Sequence, residues 1–147
     1  MPRKIKDHFL VITQFCGIAL CCYPVGQINK DKYYYLIISV LGIIGGITTL
    51  LYNRIGNFNI YPQVKSNAKL ITSGPYKLVR HPMYLSLAII MLGITLFNFH
   101  YLTLIGFTLI MIATSLKALK EEKLLIENFP GYRQYMSHTK RIIPWVW

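Results

Sequence analysis

The sequence predicts an all-α integral membrane protein with about four transmembrane helices. Hydrophobic residues make up 54% of the 147 residues, and the mean hydropathy is +0.41, which is too apolar for an ordinary soluble domain of this size. The apolar residues form long blocks separated by charged segments, as membrane helices do. Residues 1–147 are therefore interpreted as a single membrane domain.

Four apolar blocks define the predicted spans. They cover residues 9 to about 25, 33–52, 82–99 and 101 to about 119, and the second comes close to the roughly 20 residues that a bilayer core requires. The last two blocks are joined at the segment NFH, residues 98–100, which predicts a tight antiparallel C-terminal hairpin. Residues 1–53 thus hold two N-terminal helices, and residues 54–147 hold a polar loop, the hairpin and a basic tail.

The first block follows a basic segment, as the apolar region of a signal peptide does. No clear small-residue cleavage site precedes Tyr23 and Pro24, so we interpret the block as a retained helix, with cleavage as the alternative. Its cysteines, Cys16, Cys21 and Cys22, have neither the spacing of a disulfide framework nor that of a zinc site. We therefore expect no metal.

Two further patterns indicate how the helices pack and where they meet the membrane surface. Gly42 and Gly46 form a GxxxG motif in the second block, which predicts close helix packing within the chain or in a homodimer. Trp145 and Trp147, near the end of the chain, are typical of interfacial anchors.

The distribution of basic residues predicts the topology. The net charge of +11 would suggest nucleic-acid binding in a soluble protein, but here the charges lie between apolar blocks. Fourteen of the sixteen lysines and arginines fall on one side of the predicted membrane: Arg3, Lys4, Lys6, Arg54, Lys65, Lys69, Lys77, Arg80, Lys117, Lys120, Lys123, Arg133, Lys140 and Arg141. The positive-inside rule then predicts that both termini are cytoplasmic, in a bacterial or archaeal inner membrane or an endomembrane, and no nucleic-acid partner is expected.

The segment GPYKLVRHPMY marks the entry to the third span. Gly74 and Pro75 turn the chain and start a short helix, whereas Pro82 suits the first turn of the span because a helix start leaves its N–H groups unpaired anyway. His81, which precedes a proline, is disfavoured from helical geometry. The start of the third span therefore offers free N–H groups and a positive dipole end, which suit an anion such as a carboxylate.

A pair of acidic residues returns to the same membrane face. Residues 82 and 117 are equally far from the NFH turn, and all α-helices rise equally per residue, so Glu121 and Glu122 are expected about one turn beyond the depth of His81. Acidic residues are scarce, with only five in the chain. An arginine at a helix start opposite two carboxylates would suit a ligand with both a carboxylate and a cation, although Lys117 and Glu121 alone are also typical of a solvated helix end.

These segments together resemble the isoprenylcysteine carboxyl methyltransferase and phospholipid methyltransferase superfamily, whose members are integral membrane enzymes that use S-adenosylmethionine. The matching residues run in order over about the last 85 residues of the chain: LITSGPY at 70–76, VRHPMY at 79–84, Glu121, Glu122, Leu125, Phe129, Gly131, Tyr132, Tyr135 and RIIP at 141–144. The resemblance implies a methyltransferase with a cytoplasmic cofactor pocket. Its acceptor is implied to be lipophilic and to enter from the bilayer, with membrane lipid as its surroundings.

The resemblance also implies the site residues. The cofactor would be held by Tyr76, His81, Pro82, Met83, Tyr84, Glu121 and Glu122, with Arg80 and Glu121 as the catalytic residues. Lys117 stands where the isoprenylcysteine enzymes carry an arginine that holds the substrate carboxylate, and a lysine binds as a point charge rather than as a planar fork. The predicted acceptor is an isoprenylcysteine-type carboxylate or a related small lipid, with a phospholipid amine as the alternative.

Two other classes of protein stay open from the sequence. A membrane reductase of the sterol type would use NADPH, but two adjacent carboxylates repel phosphates and attract a sulfonium. A non-enzymatic scaffold would need neither cluster. A Rossmann GxGxxG motif is absent from the sequence, which argues against a methyltransferase of the soluble type. A transporter of cationic drugs would require an acidic residue within the membrane, and the apolar blocks contain none.

Overall fold

The computed structural model describes residues 3–24, 30–57 and 70–146. All elements in these ranges are helices, which confirms the all-α class: α1 (Arg3–Cys22), α2 (Leu36–Asn57), α3 (Pro82–Phe97), α4 (Tyr101–Asn128) and α5 (Tyr132–His138), with 3-10 helices at Lys30–Tyr35 and Gly74–Lys77. The predicted boundary at Val25, the loop lysines Lys65 and Lys69, and the anchor Trp147 lie outside the described residues.

The helix bounds differ from the predicted blocks mainly at polar ends. α1 begins at Arg3 rather than near residue 9, and α4 continues to Asn128 rather than ending near Leu119. Hydropathy detects only the apolar part of a helix, whereas backbone hydrogen bonding continues through charged residues. The extension of α4 contains both glutamates of the predicted site, so it projects beyond the apolar part of the helix.

Two helical segments are long and apolar enough to cross a membrane, Lys32–Asn53 and Tyr101–Asn128. The segments Asp7–Cys22 and Pro82–Phe97 are apolar but shorter. The structure thus supports two candidate spans, and the four-span arrangement stays a prediction.

The helices pack in two close pairs, α1 against α4 and α2 against α3. A Cβ atom on Gly17 of α1 would lie 2.7 Å from the carbonyl oxygen of Gly106 in α4, and one on Gly42 of α2 would lie 2.7 Å from the amide nitrogen of Ile90 in α3. A side chain at either position would clash at these distances. Glycine therefore lets the backbones of the paired helices approach closely, as at small-residue contacts in membranes. Gly42 of the GxxxG motif therefore packs within the chain.

We expect Gly106→Val to separate α1 from α4 and to lower stability by about 1–3 kcal/mol, as overpacking of a close contact does. A Cβ at Gly106 would meet the Gly17 carbonyl oxygen at 2.7 Å and the Cys21 amide nitrogen at 3.0 Å, so backbone must move. Thermal unfolding in detergent measures the effect. Gly131→Ala is the matched control, because a Cβ there meets nothing within 4 Å. Equal melting temperatures for Gly106→Val and the wild-type protein would contradict the packing.

The C-terminal tail is fixed to the start of α3 by backbone hydrogen bonds. Val79 and Lys140 form an isolated parallel bridge. The Arg80 N–H donates to the carbonyl oxygen of Lys140 at 2.8 Å, and the His81 N–H donates to that of Arg141 at 2.9 Å. His81 has φ −122° and ψ 64°, outside helical geometry, and α3 begins at Pro82 as predicted. The tail therefore lies beside the segment that contains the predicted site.

Candidate functional site

The start of α3 and the polar end of α4 lie side by side. His81 Nδ1 is 3.3 Å from Glu121 Oε2, and Arg80 Nε is 2.7 Å from Glu122 Oε1. Residue counting from the NFH turn predicted that these two segments lie at the same membrane face, with the glutamates about one turn beyond the depth of His81. The structure brings the two clusters into direct contact, with the tail as a third component.

Glu122 is almost fully buried and is bound by two arginines. Its side chain is 4% exposed; Arg80 contacts one carboxylate oxygen, while Arg141 Nε and Nη2 each lie 2.8 Å from the other. Burial raises the pKa of this carboxyl, but His81, Arg141 and Arg80 outweigh burial and lower the pKa to about 2. Glu122 is therefore ionised at neutral pH, and both of its oxygens are engaged by the protein.

The guanidinium of Arg80 is also used by the protein itself. Besides the contact with Glu122, its Nη1 donates to the carbonyl oxygens of Met136, at 3.3 Å, and of Thr139. Met136 lies in the last turn of α5, and Thr139 directly follows that helix. Arg80 therefore links α4 to the tail. The predicted catalytic role of Arg80 stays a prediction, and the contacts favour a positioning role.

Glu121 is in a different position from its neighbour. Its side chain is 22% exposed, and its Oε1 accepts a hydrogen bond of 2.5 Å from the Tyr84 hydroxyl. The Tyr84 ring stacks on His81 with ring centroids 5.5 Å apart. Glu121 thus has the Tyr84 hydroxyl at one carboxylate oxygen and the His81 imidazole near the other, with part of its surface open.

His81 lies between the two carboxylates. Burial lowers the pKa of its imidazole, but Glu121 and Glu122 more than compensate, and the net effect is a raised pKa. Its Nε2 lies 3.5 Å from Glu122 Oε1 without hydrogen-bond geometry, and this buried atom has no other hydrogen-bond partner among the described residues. The imidazole can therefore take up a proton that both carboxylates stabilise.

Lys117 lies one helical turn before Glu121, next to Tyr84. The lysine is 3% exposed, and its ammonium donates to Gln14 Oε1 of α1 at 2.9 Å. It also lies 5.6 Å from the centroid of the Tyr84 ring, within the range of a cation–π contact. The buried ammonium of Lys117 thus lies at the edge of the candidate site, on the side nearer the apolar part of α4.

The remaining predicted site residues surround this arrangement. Tyr76 lies in the 3-10 helix Gly74–Lys77, and its carbonyl oxygen accepts a 2.5 Å hydrogen bond from the Tyr135 hydroxyl. Burial first, then Tyr135 and Glu121, raise the pKa of Tyr76. Pro82 is buried and Met83 is partly buried in the first turn of α3. No three His, Cys, Asp or Glu side chains within the described ranges are placed to hold a metal ion.

Sequence reasoning did not assign Arg141 and Gln14 to the site. Arg141 belongs to the motif RIIP that carries the resemblance, and that motif was the only signal pointing to it. Gln14 is a polar residue within the first apolar block, and nothing else in the sequence distinguishes it. Both contacts join segments far apart in sequence, Gln14 with Lys117 across 103 residues, and no local pattern specifies them.

The apolar helices and the charged cluster at their polar end define an all-α membrane protein with a two-carboxylate site. A family model described as phospholipid methyltransferase matches residues 34–131, about two thirds of the 147 residues. The chain therefore belongs to the phospholipid methyltransferase family of membrane methyltransferases, within the isoprenylcysteine and phospholipid methyltransferase superfamily. This confirms the resemblance noted in the sequence. No curated protein matches the chain.

Proposed function

We propose that this protein transfers a methyl group from S-adenosylmethionine to a lipophilic acceptor at the cytoplasmic face of a membrane. Membership of a methyltransferase family supports the reaction class. The observation that carries the cofactor assignment is the partly exposed carboxylate of Glu121, held beside aromatic rings at the start of α3.

The donor set fits S-adenosylmethionine, which supplies an electrophilic methyl group on a sulfonium when bound. Glu121 suits a cation, and the ring faces of Tyr76 and Tyr84 add to that preference. The first turn of α3, at Pro82 and Met83, presents the positive end of a helix and suits a carboxylate. His81 adds a positive charge near the same turn when it is protonated.

Within this proposal the residues of the cluster have different tasks. Glu121 contacts the cofactor directly, because its carboxylate keeps an exposed surface. Arg80 and Glu122 act by positioning, because their charged groups already engage each other and the tail. Alignment of the acceptor and exclusion of water are then the main contributions of the protein to the rate.

Lys117 would contact the acceptor. Its ammonium lies 5.6 Å from the centroid of the Tyr84 ring, toward the apolar part of α4, and suits an anionic group on a lipid, either a carboxylate or a phosphate. The acceptor would replace Gln14 as the partner of this buried ammonium. The proposed acceptor is an isoprenylcysteine-type carboxylate or a related small lipid, and a phospholipid amine is the alternative that the family description favours. We further propose four spans with a C-terminal hairpin, cytoplasmic termini, and acceptor entry from the bilayer.

The test is incubation of the purified protein in lipid nanodiscs with S-adenosylmethionine labelled on its methyl group and with separate acceptor classes: prenylated cysteine, phosphatidylethanolamine, and small lipophilic carboxylates. Label in the lipid fraction of one class, and none with heat-denatured protein, is expected. Calorimetric titration with NADPH runs in parallel. Saturable NADPH binding without S-adenosylmethionine binding would indicate a reductase, and binding of neither would indicate a scaffold.

We expect Lys117→Met to raise the KM for an anionic acceptor by about tenfold or more, since a buried charge-assisted hydrogen bond is lost. The affinity for S-adenosylmethionine should change by less than about threefold, because the hydrogen bond of the ammonium goes to Gln14 of α1 rather than to Glu121. Initial rates over a range of acceptor concentrations measure the effect. Lys123→Met is the control, since Lys123 is exposed on the same helix. An unchanged KM would exclude Lys117 from acceptor binding.

A further inference from the structure

Arg141 lies outside the region that the family model matches, which ends at residue 131, and yet it contacts the buried carboxylate of the site. Its Nε and Nη2 both approach Glu122 Oε2 at 2.8 Å, and the side chain is 17% exposed. Arg80 occupies the other oxygen of the same carboxylate at 2.7 Å. One glutamate on α4 thus joins an arginine before α3 to an arginine in the tail.

Further contacts bind the same stretch of tail. Arg80 Nη1 donates to the carbonyl oxygens of Met136 and Thr139, and the backbone N–H groups of Arg80 and His81 donate to Lys140 and Arg141. Residues 136–141, defined here as the tail segment, are therefore held by Glu122, Arg80 and the His81 backbone. These contacts fix the tail segment beside the start of α3.

The charges of this arrangement separate the two adjacent glutamates. Two guanidinium groups surround Glu122, whose carboxylate is 4% exposed, and a buried carboxylate that loses a partner pays a large desolvation penalty. Glu121 is 22% exposed and binds the Tyr84 hydroxyl and His81. Only Glu121 keeps a surface on which an external cation can lie.

We infer that Glu122 anchors the tail segment through Arg141, and that Glu121 alone faces the ligand. Arg141 is on this view a positioning residue: it acts through Glu122, which in turn fixes Arg80 and the start of α3. The assignment of Glu121 rests on the proposed function, whereas the anchoring of the tail does not. The site is therefore completed by a segment that lies beyond the family match.

The test is hydrogen–deuterium exchange of the Arg80 and His81 amides, whose acceptors are the tail carbonyls. We expect Arg141→Ala and Glu122→Gln to accelerate this exchange by about tenfold or more, since each removes charge-assisted hydrogen bonds that hold the segment closed. Arg141→Lys keeps the charge but not the forked contact, and should give an intermediate rate. Glu121→Gln and Arg133→Ala, the latter an exposed arginine on α5, should leave the rate within about twofold of wild type.

Calorimetric binding of S-adenosylmethionine to the same variants tests the coupling to the ligand. If tail closure is coupled to ligand binding, saturating ligand should slow this exchange in Arg141→Ala, by a factor equal to the ratio of the ligand's affinities for the closed and the open tail. A purely structural role for Arg141 predicts exchange that the ligand does not slow. Should Arg141→Ala not yield folded protein, Arg141→Lys supplies both measurements.

Three outcomes separate the claims. Unchanged exchange in Arg141→Lys and in Glu122→Gln would overturn the anchoring. Loss of binding in Glu122→Gln with unchanged exchange would overturn the division of tasks, because Glu122 would then contact the ligand. Absence of binding in the wild-type protein, with the expected exchange pattern intact, would refute the proposed cofactor and leave the anchoring of the tail supported.

Discussion

Glu121→Gln is expected to weaken S-adenosylmethionine binding by about 30-fold or more, since losing one partner of a desolvated charge pair typically costs 2 kcal/mol or more. The substitution preserves the shape of the side chain and an acceptor for the Tyr84 hydroxyl, which now donates to Glu121 at 2.5 Å. The helices should therefore stay in place while the negative charge is lost. Calorimetric titration of purified protein in detergent measures the affinity directly.

Glu127→Gln is the matched control for this change. Glu127 is exposed on the same helix and undergoes the same loss of charge, so it should bind S-adenosylmethionine within about twofold of wild type. An affinity of Glu121→Gln equal to that of the control would remove Glu121 from the cofactor site. S-adenosylhomocysteine, which lacks the sulfonium charge, should lose less affinity than S-adenosylmethionine on the same substitution.

The sequence was sufficient to predict that the segment before α3 and the acidic pair of α4 lie at the same end of the two helices. His81 and Glu121 are 40 positions apart, yet a constant rise per residue and a three-residue connection fix their relative depth. The geometry of the start of α3 was predictable for a similar reason, since Pro82 restricts the residue before it. Both features thus follow from local backbone rules and from the symmetry of two helices about a short turn.

The sequence could not predict how the helices pair or which of the two glutamates is the more buried. α1 packs on α4 and α2 on α3, and the choice depends on matching close backbone contacts such as that of Gly17 with Gly106. The difference in burial between Glu121 and Glu122 depends on the path of the tail after α5. No periodic pattern in the sequence predicts that path, because the tail is irregular after α5 and is positioned by the isolated bridge between Val79 and Lys140.

Arg80→Ala is expected to destabilise the protein by about 3 kcal/mol or more, because it leaves the buried carboxylate of Glu122 with one arginine instead of two. It also removes the donor to the carbonyl oxygens of Met136 and Thr139. Thermal or denaturant unfolding in detergent measures the loss. Lys77→Ala, which removes an exposed cation from the preceding 3-10 helix, is the control and should unfold with the wild-type protein.

The double variant Arg80→Ala with Glu122→Gln shows whether an uncompensated charge is the cause. With no carboxylate to leave unpaired, the double variant should be more stable than Arg80→Ala alone, a non-additivity typical of residues in one charge network. Additive losses would mean that Arg80 stabilises the fold through the tail carbonyls and not through Glu122. The double variant separates the two contributions, because Glu122→Gln changes only the partner of Arg80 Nε and leaves the backbone partner of Nη1 in place.

The pH dependence of stability provides an independent check on the same carboxylate. The pKa of Glu122 is about 2 in the folded protein, against an ordinary value of 4.5, so the unfolded chain binds a proton first as the pH falls. Its contribution is then fully present above about pH 4.5 and is lost progressively toward pH 2, amounting to roughly 3 kcal/mol. The wild-type protein should therefore lose stability over this interval more steeply than Glu122→Gln, which has no proton to gain there. Parallel acid-unfolding curves for the two proteins would show that Glu122 is not held as a buried ion. An underpaired Glu122 carboxylate could then not be the cause of the destabilisation by Arg80→Ala.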